Sequence, residues 1–168
     1  MKDQPPSPLN EEAQWHLQRA DGYLDLSMVK EAREELDKIP ELLRPHPGVG
    51  QIELRLAMAS HRWPAAEKLA RELCAAFPDE PGYWIQLAYA VRRASTIEHA
   101  RKILQEIQPR FSSVAVIPFN LACYECQLGH ADEAKNYLRS AIKLDPQCRE
   151  MALEDSDLEI LWPEIESW

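Results

Sequence analysis

Glycine is scarce in this chain, with five in 168 residues. Long glycine-poor stretches suit helices and leave little room for a fold of short strands joined by tight turns. No apolar run approaches the length that spans a bilayer. The opening Met-Lys-Asp-Gln-Pro-Pro-Ser-Pro has no hydrophobic stretch of the kind a secretory leader needs. The expectation is a cytoplasmic protein with no membrane partner. An excess of basic residues is missing too: the formal net charge is −9, which argues against nucleic-acid backbone as a partner. Four cysteines (Cys74, Cys123, Cys126 and Cys148) are too few for a disulfide scaffold in a chain of this size. There is no glycine-rich phosphate loop, no His-Glu-x-x-His and no Gly-x-Ser-x-Gly elbow. His16, His46, His61, His99 and His130 fall near helix starts, turns or charged faces. No catalytic residue, no resident metal and no cofactor is expected, and the chain does not read as an enzyme.

What the chain does have is a period. Ala32, Ala66, Ala100 and Ala134 lie 34 residues apart, without an insertion or deletion. Other columns keep the same register: Leu36, Ala70, Leu104 and Leu138; Ile39, Leu73, Ile107 and Ala141; Ala20, Leu54, Ala88 and Ala122. Apolar residues at i, i+4 and i+7 mark one face of a helix. A small residue recurring on that face marks a close helix crossing, where a larger side chain would push the backbones apart. The thirteen prolines respect the same plan. Pro5, Pro6 and Pro8 fall in the N-terminal tail. Pro40, Pro45, Pro47, Pro78, Pro81, Pro109 and Pro146 fall between predicted helices, Pro64 and Pro118 sit near helix starts, where proline is tolerated, and Pro163 lies near the end of the final segment.

The pattern predicts helix pairs at about 11–26 and 29–39, 49–60 and 64–77, 83–94 and 97–107, and from Phe119 to Leu128 followed by Ala131 to Leu144. Asn10 is the expected first N-cap. The last pair, FNLACYECQLGHADEAKNYLRSAIKLDP, resembles a tetratricopeptide repeat from its aromatic-Asn-Leu opening through Leu128-Gly129 and Asp132-Glu133-Ala134 to Asp145-Pro146. Trp84, Leu87 and Ala88 match in the third pair, and Ala66 and Pro78 in the second; the 34-residue period is that of the same family. The resemblance covers about residues 13–148. It departs at His16, Gly50 and Pro118, which stand at the tryptophan position, at Arg19 and Glu53, which replace a leucine, and at Glu125, in a column that is usually aromatic.

The resemblance implies an all-α fold: a right-handed superhelical stack of antiparallel helix pairs, a TPR-like α-solenoid, with a C-terminal capping helix. Residues 1–10 would be a disordered tail. Residues 11–148 would hold four repeats, at approximately 13–46, 47–80, 81–114 and 115–148. Residues 149–168 would form an acidic amphipathic cap, with Met151, Ala152, Leu153, Leu158, Ile160, Leu161, Trp162 and Ile165 on its apolar side. An array of this type needs its last apolar face covered. The seven carboxylates from Glu150 to Glu166 would face water, and Trp162 or Trp168 is a candidate anchor for a partner.

Charge divides the chain unevenly. Residues 1–46 carry −4, residues 47–114 carry +2 and residues 115–168 carry −7, so an acidic ligand should prefer the middle. In the family resembled, the first helices of the pairs line a concave surface that binds peptides. Carried over by register, that lining includes Arg55, Gln86, Tyr89, Arg92, Arg93, Phe119, Asn120, Cys123 and Gln127, beside Gln18, Asp21, Asp25, Met58 and Cys126. Arg92 and Arg93 next to Tyr89 suit carboxylate recognition; the alternative for them is a solvated face with local salt bridges. Leu17, Asp21 and Gly82 stand at three positions of the Lys/Asn/Arg set that grips chaperone tails in this family, so that partner is not implied. Cys123-x-x-Cys126 with His130 could share one helix face. A closed zinc site needs four ligands, and a redox pair needs a helix N-terminus that these mid-helix thiols lack. The functional expectation is a non-enzymatic scaffold or adaptor holding another protein or peptide in a groove. The alternative is a self-associating homo-oligomer assembled through its end helices.

Overall fold

Asn10 opens the first helix as expected: its side-chain oxygen accepts from Ala13 N–H at 2.8 Å, with Glu11 and Glu12 in the first turn facing the positive helix end. The computed structural model describes residues 8–168; the tail expected at residues 1–10 lies largely outside that range. Eight helices form four pairs: α1 (Glu11–Asp25) with α2 (Val29–Asp37), α3 (Pro47–Ala59) with α4 (Trp63–Ala76), α5 (Pro81–Ala94) with α6 (Ile97–Ile107), and α7 (Val116–Gln127) with α8 (Ala131–Leu144). A short 3-10 turn, Glu41–Leu43, precedes α3. No strand occurs among the described residues.

The chain divides into two compact units, Met1–Pro78 and Asp79–Trp168. In the first, Ala13, Ala20, Ala32, Leu36, Ile39, Val49, Ile52 and Leu56 form a continuous core, with Leu9 and Leu17 packed against it. In the second, Leu87, Ala88, Leu104, Ile117, Leu121, Ala122 and Leu138 are buried. All four register alanines are 0% exposed, as a close helix crossing demands.

Prolines start helices instead of breaking them. Pro47, Pro64 and Pro81 occupy the first or second helical position, and Pro118 lies in the first turn of α7, where no intrahelical N–H bond is lost. Three of the four turns inside the pairs share one device. Ser27, His61 and Gly129 have φ of 58°, 54° and 82°, and each follows the cap of the first helix. In the first pair, Ser27 N–H donates to Leu24 O at 3.0 Å and Met28 N–H to Tyr23 O at 2.8 Å; the same two bonds recur at His61 and Arg62 and at Gly129 and His130. This is the Schellman ending, which satisfies two orphan carbonyls and needs a left-handed residue. The third pair differs. Ser95 has φ −136°, and Thr96 caps α6 instead, its hydroxyl accepting from His99 N–H at 3.3 Å.

Those angles set an expected stability difference. A Cβ at Gly129 would meet nothing within 4 Å, so Gly129→Ala tests backbone strain alone. It should cost about 1 kcal/mol in urea denaturation, and Ser27→Gly should gain several tenths. Equal stability for both variants and wild type would contradict the assignment.

The C-terminal cover is a broken element. Helix α9 (Gln147–Glu154) stops at Asp155, a 3-10 segment follows over Ser156–Leu161, and the one-turn α10 spans Trp162–Ile165. Asp155 is extended, and its carboxylate accepts from Asp157 N–H at 2.9 Å, so it caps the second piece at the expense of continuing the first. Cys148, Ala152, Leu158, Leu161 and Ile165 are buried. The Trp162 indole N–H donates to Ala152 O at 2.8 Å, and Arg139 lies over the Trp168 ring, 4.7 Å from its centroid. Both tryptophans are engaged within the chain and half-buried.

Charges at apolar columns are met by partners. Arg19 pairs with Glu35 at 3.3 Å and stacks 4.4 Å from the centroid of Trp15. Glu53 takes Arg44 at 3.0 Å. Glu125, 3% exposed, accepts from Arg101 at 3.1 Å and Gln105 at 3.4 Å and faces His130 Nδ1 at 2.7 Å. Glu35 is equally buried, with His16 at 2.7 Å and Lys38 at 2.9 Å.

Those bonds from His16 and Lys38, aided by the charges of Arg19 and Lys38, hold the Glu35 carboxyl below the usual carboxylate range in spite of its burial. The unfolded chain therefore takes up this proton at higher pH than the folded one. The contribution is complete above the ordinary carboxylate pKa and is lost as pH falls through the depressed one. Urea melts between about pH 6 and pH 3 should show wild type losing stability more steeply than Glu35→Gln. Parallel curves would refute this.

Candidate functional site

Helix α5 carries Tyr89, Arg92 and Arg93, and α7 carries Asn120, Cys123 and Tyr124. Each set has the i, i+3, i+4 spacing that gathers three side chains on one helix face. Together they line a cavity of about 250 Å³ in the second unit, closed on its remaining side by Asp155, Ser156 and Asp157. Five of the nine residues expected to contact a partner, Tyr89, Arg92, Arg93, Asn120 and Cys123, meet there.

The pocket already holds a carboxylate. Arg92 Nη1 donates to Asp157 Oδ2 at 2.5 Å, with both side chains about four-fifths buried. The guanidinium also lies 5.4 Å from the centroid of the Tyr124 ring, a geometry that favours a cation over an aromatic face. Gln127 Nε2 donates to the Asp157 carbonyl at 3.2 Å, and Cys123 Sγ–H points to Asp155 Oδ2 at 3.6 Å. Arg93 sits 5.3 Å from the Tyr89 ring centroid and reaches its hydroxyl at 3.4 Å. Asp155 and Asp157 therefore turn inward, whereas the amphipathic reading of residues 149–168 placed all seven carboxylates in water.

Burial, reinforced by the charges of Asp155 and Asp157, pushes the Cys123 thiol well up, and burial raises the Tyr124 phenol to about 12. Both groups stay protonated at neutral pH. Cys123, Asp155 and Asp157 have ligand atoms within 4.8 Å of one another. A cation there would have to displace the Arg92 guanidinium and ionise a desolvated thiol, so the donor set does not fit a metal. His130 points to Glu125, leaving the Cys123/Cys126/His130 trio without a shared focus.

The other expected residues are placed differently. Arg55, on α3 of the first unit, lies between Asp21 and Asp25 of α1, pairing with Asp21 and with Asp25 at 2.7 Å. Asp21 and Arg55 stand in the same column, 34 residues apart, so within the first unit Arg55 is neutralised by carboxylates of the neighbouring repeat. Phe119 is 5% exposed and belongs to the core. Gln86 is half-buried on α5, and its Oε1 has no hydrogen-bond partner among the described residues. Gln127 is exposed and bound to the Asp157 backbone. Sequence reasoning missed Tyr124, Asp155 and Asp157. The available signal was the charge split: the acidic ligand suited to the basic middle is present in the same chain.

No protein-family model matches the chain, and no curated protein matches it either. Solved structures do. The crystal structure of TTC0263, a thermophilic TPR protein in Thermus thermophilus, superposes with a TM-score of 0.68 at 19% identity, covering 91% of this chain and 82% of that one. The fold is a tetratricopeptide-repeat fold. The same fold is shared with the "MamA RS-1 ArsTM double mutant", with a TM-score of 0.70 at 13% identity over 82% of this chain and 78% of that one. "MamA MSR-1 C2" gives 0.64 at 14% identity, over 94% of each. Against this tetratricopeptide-repeat frame, Tyr89 and Cys123 occupy one repeated column and Gln86 and Asn120 the next. No described helix is long and apolar enough to cross a membrane.

Proposed function

We propose that this protein is a non-enzymatic interaction module and that it takes an acidic segment of a partner protein on the α5/α7 face. The observation that carries the reading is the Arg92 pocket, where a guanidinium backed by Tyr124 grips a carboxylate at 2.5 Å. Charge-assisted bonds of this kind select carboxylate ligands, and Arg93 with Tyr89 extends the same chemistry to the rim. The helical-repeat fold supplies a rigid platform for such a face, an argument from fold that the pocket makes specific.

Immobilised ten-residue peptides of matched hydropathy, one acidic set and one basic, test this directly. The acidic set should retain the protein. Arg92→Glu/Arg93→Glu should lower retention at least about tenfold, the effect of removing a charge-assisted contact and reversing its sign. Equal retention of both sets, or no loss in the variant, would overturn the reading. Self-association through end surfaces is the second reading, favoured by the exposure of Leu26 and Leu42 in the first unit. A single monomer mass in sedimentation over a wide concentration range would retire it.

A further inference from the structure

We propose that Asp155-Ser156-Asp157 is a resident ligand of the arginine pocket, held in cis, and that an acidic partner segment gains the pocket by replacing it. This rests on the reading of the α5/α7 face as a partner-binding surface.

The contacts divide the C-terminal element into two kinds. Leu158, Leu161 and Ile165 are buried anchors, and the Trp162 indole bond to Ala152 O ties the two pieces together. The three residues before these anchors contribute no apolar side chain to the core: Ser156 is exposed, Asp155 is half-buried, and Asp157 owes its cover to the Arg92 pocket. Their contacts are those a peptide ligand would make. One carboxylate sits on Arg92, one main-chain carbonyl on Gln127, and a second carboxylate on Cys123. Gln127 and Cys123 stand at positions that the tetratricopeptide-repeat resemblance, carried over by register, implies for a peptide-binding lining. The segment also lies where α9 ends and the next turn begins, so it can leave the pocket by a local change without releasing the anchors.

Competition follows from connectivity. A ligand tethered a few residues from its pocket acts at an effective concentration of about millimolar. Where the pocket is empty only about a tenth of the time, a competing segment binds about tenfold more weakly than its intrinsic affinity allows. The chemistry to be matched is also defined: two carboxylates spaced Asp-x-Asp on an extended backbone, with a main-chain carbonyl within reach of Gln127.

The probe is a fluorescein-labelled peptide with the sequence of residues 153–161, titrated by anisotropy with full-length protein. Asp155→Asn/Asp157→Asn should bind it about tenfold more tightly than wild type, and adding Arg92→Gln should erase the gain. In the same variant, Cys123 should alkylate faster with iodoacetamide, mapped by mass spectrometry, because its cover has gone. Equal, measurable affinity for wild type and the double variant would overturn the resident-ligand proposal and leave the binding surface standing. Absence of binding by any form, with helical circular dichroism intact, would overturn both. A wild-type dimer dissolved by the peptide would assign the pocket to a second copy's segment and overturn the cis form. If the double variant loses its helical signal, Asp157→Asn alone takes its place, since Asp157 is the carboxylate on Arg92: a gain of about threefold supports the proposal, and no gain overturns it.

Discussion

Replacing Arg101 with alanine should destabilise the protein by about 2–3 kcal/mol, whereas Glu125→Met should be close to neutral. The asymmetry comes from where the charge lies. Glu125 is 3% exposed on a helix face that the repeat register assigns to an apolar side chain. Its oxygens depend on Arg101, Gln105 and His130. Losing Arg101 leaves a desolvated carboxylate with a weaker set of donors. Losing the carboxylate itself, in exchange for a flexible apolar side chain of similar length, removes the need for those donors, and the Arg101 side chain, 27% exposed, has a path for its charged end to reach water. Urea denaturation of the two single variants and the double variant measures this. The double variant should recover most of the Arg101→Ala loss, and additive losses would show that the ion pair is not the cause.

Enlarging the crossing alanines should cost about 1–3 kcal/mol per site. Ala100 and Ala134 are the best tests because each is 0% exposed within its helix, with Leu104 and Leu138 one turn further on and equally covered. A leucine at either place has no void to enter, so the paired helix must move or the new side chain must leave its rotamer wells. Thermal unfolding of Ala100→Leu and Ala134→Leu should show lower midpoints than wild type. A serine at the same positions keeps the crossing distance but buries a hydroxyl, which separates the effect of size from that of polarity. Unchanged midpoints for both leucine variants would mean that the alanine column does not mark the crossing.

Most of the helical framework was legible because it rests on local periodicity. The alanine columns located the eight paired helices, and Ala131 to Leu144 was placed residue for residue. The left-handed turn at Gly129 was legible as Leu-Gly, but its equivalents at Ser27 and His61 were not, since neither residue type announces positive φ. The C-terminal element was misread as one helix for a different reason. An apolar stripe shows which residues face a core, yet says nothing of a carboxylate that abandons the helix to meet an arginine 65 positions earlier. Arg92 and Arg93 were found as a basic, aromatic-flanked pair, while what fills the space beside them depends on a long-range pairing that no spacing rule contains. The same limit explains Arg55, whose carboxylate partners lie on another repeat.

The buried carboxylate Glu125 ties the last helix pair of this protein to the one before it, whereas Glu35 is matched inside its own pair. Glu35 takes its donors His16, Arg19 and Lys38 from its own helix pair, whereas Glu125 takes Arg101 and Gln105 from the pair before it and His130 from its own. Deleting residues 81–114, or moving them away from residues 115–148, would keep the 34-residue alanine spacing and still strand Glu125 away from Arg101 and Gln105. The apolar columns would accept many orders of the blocks; the Glu125 network acts as an address for one junction. One junction of the array is thereby fixed, and a chimera that exchanges the first and last blocks should fold poorly until Glu125 is neutralised, while Glu35 travels with its own donors.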